Sequence, residues 1–139
     1  ASASAWGRVY APAIPAKGHQ TMLGKETVHA RLGNPIAYYS TLSRILGGVE
    51  ESLFVSQFFS WYDRGHSPEE WLYRTQDEIQ EATGLTRRNQ ETARRRLRSL
   101  GVLEEQRAGI PARLTYRLNL DVLAALVHKT SDMEVDRVR

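Results

Sequence analysis

The stretch from Thr75 to Gly101 constrains the fold more than any other part of this chain, because it spells out two helices and the turn between them. Thr75 and Glu78 form a capping box, in which each side chain satisfies a backbone N–H that the helix leaves unpaired. The helix opened there carries Ile79 and Ala82 and stops at Gly84, a residue that takes the left-handed conformation without strain. Leu85 occupies the turn, Thr86 caps a second helix, and that helix runs to about Leu100, closed by Gly101. Helix, short glycine-containing turn, helix is the pattern of a helix-turn-helix pair.

The flanking elements fit around this pair. Asn34 as a cap and Pro35 at the first helical position predict a helix start, followed by Tyr38, Leu42, Ile45 and Leu46 at helical spacing and a stop at Gly47-Gly48. A second helix from Glu50 to about Arg64 has acids in its first turn, where the helix dipole favours them. Its Leu53, Phe54, Val55, Phe58, Phe59, Trp61 and Tyr62 leave little polar surface, so it belongs in the middle of the fold, its aromatics packing a core rather than a cofactor pocket. Trp71-Leu72-Tyr73 reads as a short strand. Beyond the helix pair, Val102–Arg107 and Leu114–Leu118 read as strands joined by a Gly- and Pro-containing loop over 108–112. In the second of them Leu114, Tyr116 and Leu118 face one way and Arg113, Thr115 and Arg117 the other. A last helix from about Leu120 presents Leu123, Leu126 and Val127. At the other end, residues 1–24 are aperiodic and rich in Ala, Ser, Pro and Gly, and Glu26–Arg31 alternates weakly as a short strand would. The expected fold is mainly α with a small β-hairpin. It is a winged helix-turn-helix over residues 34–127, preceded by extra helices and an N-terminal arm (1–33, partly extended) and followed by a polar C-terminal tail (128–139).

Several function classes are disfavoured. A length of 139 residues fits one domain with arms. The chain has no cysteine, which removes disulfides, thiolate catalysis and Cys-based zinc sites. No apolar run approaches the roughly 20 residues that span a bilayer, and Ala1–Ala5 does not begin a signal peptide, so a cytoplasmic location without membrane contact is expected. His19, His29, His66 and His128 lie far apart, none at the spacing of a helical metal pair, and His66-Ser67-Pro68-Glu69-Glu70 reads as a turn with Ser67 as a cap. A phosphate-binding glycine loop and a nucleophile elbow are both absent from the sequence. The expectation is therefore no catalytic residue, no metal and no cofactor.

Charge supplies the positive signal. The stretch from Glu50 to Glu81 carries eight acids (Glu50, Glu51, Asp63, Glu69, Glu70, Asp77, Glu78 and Glu81) against Arg64 and Arg74. From Thr86 to Arg117 the balance reverses, nine arginines standing against Glu91, Glu104 and Glu105. At about 100° per residue, Ala93, Leu97 and Leu100 form the inner stripe of the Thr86–Leu100 helix. Arg87, Arg88, Arg94, Arg95 and Arg98 take the opposite half with Glu91, while Arg96 flanks the core stripe. So many like charges on one face destabilise a purely structural helix, whereas a helix lying in the major groove of duplex DNA requires them. Thr86, Arg87, Arg88, Gln90 and Glu91 near its start are expected at base edges, Arg binding guanine, Gln adenine and Glu cytosine. Arg94, Arg95 and Arg98 are expected on phosphates. Arg107 and Arg113 flank the hairpin loop, with two readings open: contact with a phosphate or the minor groove, or cross-strand pairing with Glu104 or Glu105.

Residues from about Asn34 to Leu126 resemble the winged-helix domains of phage and plasmid replication proteins, of the initiator and helicase-loader type. The likeness lies in Leu42-Ser43-Arg44-Ile45-Leu46-Gly47, in the aromatic helix with Ser56-Gln57 and Trp61, and in Trp71-Leu72-Tyr73-Arg74-Thr75. It continues through Thr83-Gly84-Leu85-Thr86-Arg87-Arg88, Ala93-Arg94-Arg95-Arg96-Leu97, Gly101-Val102-Leu103-Glu104-Glu105, Gly109-Ile110-Pro111-Ala112-Arg113 and Tyr116-Arg117-Leu118. The resemblance implies sequence-specific binding of double-stranded DNA in replication initiation, replication proteins as further partners, and another domain beyond this chain, which makes a fragment the expectation. A homodimer stays open. So do a transcription regulator using the same surface and a protein-interaction module working through the acidic stretch.

Overall fold

The computed structural model describes residues 24–33 and 35–138, with side chains as far as Ser131 in the last helix. The chain divides into two units, Ala1–Pro35 and Ile36–Arg139. Of the first unit the described part is a helix, α1 (Lys25–Leu32), where an extended segment was expected. Glu26 in its first turn and His29 and Arg31 in its last complement the helix dipole, Gly33 at φ 80° ends it, and none of its residues is buried. Six weakly alternating residues gain a strand only where a sheet edge accepts them, and local charge favours the helix.

The second unit begins with α2 (Ser40–Leu46) and α3 (Val49–Asp63). Helix α2 starts later than the Asn34-Pro35 signal implies. Asn34 lies outside the described residues, Pro35 is not helical, and Tyr39 is the extended N-cap. Tyr38 therefore precedes the helix, half-exposed, its hydroxyl accepting a bond from the Ser43 hydroxyl at 3.0 Å. Gly47 ends α2 at φ 102°. Helix α3 takes the central position expected of it, burying Phe54, Val55, Phe58 and Trp61 and also the polar Glu51, Ser52, Ser56 and Gln57. Phe58 meets Trp61 and Tyr116 edge-on, at centroid distances of 5.1 and 6.3 Å, the geometry that ring quadrupoles favour.

A short strand, β1 (Leu72–Tyr73), leads to α4 (Gln76–Thr83) and α5 (Arg87–Ser99), followed by β2 (Leu103–Ala108), β3 (Arg113–Leu118) and α6 (Leu120–Val138). The three strands form one antiparallel sheet in the order β1-β3-β2, with Leu103 opposite Leu118 and Ala108 opposite Arg113. Among the described residues the protein is thus mainly helical with a small three-stranded sheet. Both halves of the Thr75–Glu78 capping box form, and the backbone N–H of Thr75 holds the Glu78 carboxyl below its ordinary pKa. Gly84 ends α4 at φ 81°, Leu85 is buried in the turn, and the Thr86 hydroxyl accepts the Asn89 N–H at 3.2 Å. Val102 N–H then bonds to the Leu97 carbonyl at 2.9 Å, sending β2 back from the end of α5.

The polar tail expected from residue 128 is instead the second half of α6, which runs to Val138. No glycine or proline interrupts residues 120–138, and Lys, Glu, Arg and Met are good helix formers, so polarity alone does not stop the helix. No helix among the described residues is long and apolar enough to cross a membrane.

Leu97 is fully buried in the core that joins α3, α5 and the sheet. Leu97→Ala is expected to lower unfolding free energy by about 2–5 kcal/mol, read as a shifted urea midpoint at unchanged m. An unshifted midpoint would place the inner face of α5 elsewhere.

Candidate nucleic-acid interface

Helix α5 has an inner face, two flanks and an outer face, and its six arginines divide unevenly among them. The inner face buries Gln90, Ala93 and Leu97. Leu100, expected in the same stripe, is the C-cap and 36% exposed, because the helix ends one residue before it. Gln90, expected at a base edge, is fully buried instead. Its amide Nε2 donates to the Gln76 and Leu85 carbonyls, both at 2.9 Å, so it ties the first turn of α4 and the following turn to α5. Two carbonyl acceptors fix the amide orientation, and the Gln90 Oε1 has no hydrogen-bond partner among the described residues.

Along one flank the arginines meet acids. Arg87 bonds to Asp77 of α4 at 3.2 Å, with both side chains largely exposed. Arg94, expected on a phosphate, has a side chain only 11% exposed and donates from Nε to Glu105 Oε2 at 2.6 Å. Burial works against its charge, but the hydrogen bond it donates to Glu105, together with the nearby Tyr116, Glu105 and Glu91, outweighs that and holds the guanidinium above its ordinary pKa. Arg98 donates to the other Glu105 oxygen, and its side chain remains 43% exposed. Glu105 lies on the sheet face of Tyr116, opposite it in register, and the Arg94 guanidinium sits 5.7 Å from that ring. Burial pushes the Tyr116 hydroxyl above its ordinary pKa.

On the other flank, Arg96 crosses the end of α2: a Cβ on Gly47 would lie 2.9 Å from Arg96 Cδ. Gly47, already at φ 102°, is therefore also the point of close approach between α2 and α5.

The outer face is left to Arg88, Glu91, Thr92 and Arg95, all exposed. Thr86 is exposed at its start with its hydroxyl engaged in the cap. Beside this face stands the hairpin. Glu104 is bonded to Arg117 at 2.9 Å and Glu105 to α5, so neither acid pairs with Arg107 or Arg113. The guanidinium of Arg113 lies 5.1 Å from the Tyr73 ring centroid. Arg107 acts electrostatically on the Tyr116 hydroxyl together with Arg94 and Arg98. Among the described residues Arg88, Arg95, Arg107 and Arg113 form no ion pair, and no group of three or more acids and histidines could hold a metal ion.

Sequence reasoning missed Glu105 as the clamp and Tyr73 as the support for Arg113. The strand alternation carries the signal for the first: Glu105 shares the inner face of β2 with Leu103, and an acid there requires a cation.

Gln90→Leu is expected to cost about 1–3 kcal/mol in chemical denaturation, because one buried and one part-buried carbonyl lose their donor. Unchanged stability with altered binding would make Gln90 a contact residue after all. No protein-family model, no curated protein and no solved structure matches this chain.

Proposed function

We propose that this chain is a winged-helix protein that binds double-stranded DNA, with α5 in the major groove and the loop between β2 and β3 as the wing. The observation carrying this reading is the exposed outer face of α5, where Arg88 and Arg95 stand without an acid partner beside Arg98 and Arg107. Counter-charge was available within the fold, and Arg94 and Arg98 share the Glu105 carboxylate. The arginines left over gain nothing for stability from facing one another, and a polyanion supplies what they lack.

A helix about 10–12 Å across fits a major groove about 12 Å wide. Arg88 lies in the first turn with Glu91 one turn on, suited to a guanine edge and to a cytosine amino group. Arg87 joins them by exchanging its solvent-exposed bond to Asp77 for DNA, an exchange that costs little in water. Arg95 and the free side of Arg98 suit phosphates, which add affinity without sequence information. A replication origin is the site we propose, because the sequence resembles phage and plasmid replication proteins. A promoter-binding regulator would use the same surface, and mapping of bound sites separates the two.

An interaction module working through the acidic stretch has less support, because five of its eight acids are buried or engaged locally. Glu51 is buried, Glu78 caps α4, and Asp77 pairs with Arg87. Glu70 accepts the Ser67 N–H at 2.8 Å, and Glu69 accepts the Ser67 hydroxyl.

Salt titrations on a selected site and on random duplex test the reading. Arg88→Ala should reduce preference for the selected site by about 1–3 kcal/mol. Arg95→Ala should weaken both duplexes alike and lower the salt slope by roughly one unit. If both variants bind both duplexes as tightly as the parent, α5 is not the DNA-binding surface.

A further inference from the structure

The hairpin tip departs from ordinary turn chemistry. Ala108, Gly109, Ile110, Pro111 and Ala112 are all exposed, and none has a polar side chain. Turns that face only water favour Asn, Asp and Ser beside Gly and Pro. Ile110 is 103% exposed, so its side chain touches nothing in the fold. A collar of charge surrounds this apolar tip: Arg107 lies opposite Leu114, and Arg113 opposite Ala108. In a pleated ladder those positions put the two arginines on opposite faces of the hairpin. One face is that of Glu105, shared with α5; on the other, Arg113 rests against Tyr73.

Resting on the DNA-binding reading, we propose that Ile110 is a wedge that enters the minor groove beside the α5 site and unstacks a base step, while Arg107 and Arg113 hold the phosphates of the two strands. The chemistry matches at each point. A minor groove about 6 Å wide is walled by two phosphate rows, one for each face of the hairpin. Apolar side chains such as isoleucine and proline enter between base steps and kink the duplex, and the bend brings more of the duplex against the protein. The Glu105 bridge to Arg94 and Arg98 ties the wing to α5, so both can engage one duplex together. A lipid surface would also accept an apolar tip with a cationic collar, but it would leave the outer face of α5 without a role.

The test uses the full chain and a duplex selected from random sequence by that chain. The duplex carries dyes at its two ends, or the fluorescent adenine analogue aminopurine at successive steps. The parent should brighten aminopurine several-fold at one step beside the α5 site and shorten the end-to-end distance. Ile110→Leu should retain both signals. Ile110→Ser, a change at a fully exposed position, should lose both while keeping the parent's salt slope. Binding without unstacking at any step overturns the wedge and leaves the DNA-binding reading standing, as does an Ile110→Ser variant that unstacks like the parent. A parent that binds no duplex overturns both. Cosedimentation with phosphatidylserine vesicles that depends on Ile110, with the DNA signals unchanged by Ile110→Ser, assigns the tip to lipid and overturns the wedge.

Discussion

Helix α5 holds six arginines and one glutamate in thirteen residues, and a helix with that charge repels itself when isolated. Its stability is borrowed from the fold through a narrow inner stripe. Ala93 and Leu97 are wholly buried in the core, and Gln90 completes the stripe by bonding to the turn before it. The ends are fixed as well, by Thr86 at the start and by Gly101 at φ 80° just past the end. Each neighbour depends on that seating. Strand β2 leaves from the Leu97 carbonyl, and Glu105 can face Arg94 because the strand begins there.

Seating the helix also sorts its charges. Positions turned toward a neighbouring element acquire a partner: Asp77 for Arg87, Glu105 for Arg94 and Arg98, the end of α2 for Arg96. Arg88 and Arg95 are exposed and form no ion pair among the described residues. The division is one of depth. A guanidinium with a side chain 11% exposed is a costly uncompensated charge unless a carboxylate bonds to it, whereas one in water is not. The buried pair is thus part of the scaffold, and the solvated arginines are those we propose meet DNA.

Much of this was legible in the sequence, because helix ends are marked by local chemistry. The Thr75–Glu78 box, Gly84, Thr86 and Gly101 placed α4 and α5 with no knowledge of the rest of the chain. The Asn34-Pro35 signal misled because a good cap does not oblige a helix to begin, and α2 starts at Ser40, beyond Tyr38 and Tyr39. α1 and the second half of α6 differ from the expected strand and tail for a related reason: neither weak alternation nor polarity opposes a helix. Gln90 was misassigned by residue type. It stands three residues before Ala93 and seven before Leu97, on the inner stripe, and the helical period marks it as buried whatever its chemistry. Arg94 needed knowledge across the fold, since only the β2–β3 register brings Glu105 to it.

The central claim is that α5 carries two kinds of arginine, those spent on the fold and those kept for DNA. Arginine side-chain NMR measures the distinction directly, by following the Nε–Hε signals as a short duplex is added. The expected result is that Arg88, Arg95 and Arg107 shift with added DNA, while Arg94 stays at its Glu105-bonded position. Shifts at Arg94 with Arg88 and Arg95 unmoved, or no shift at any of them under conditions of saturating duplex, would contradict the account.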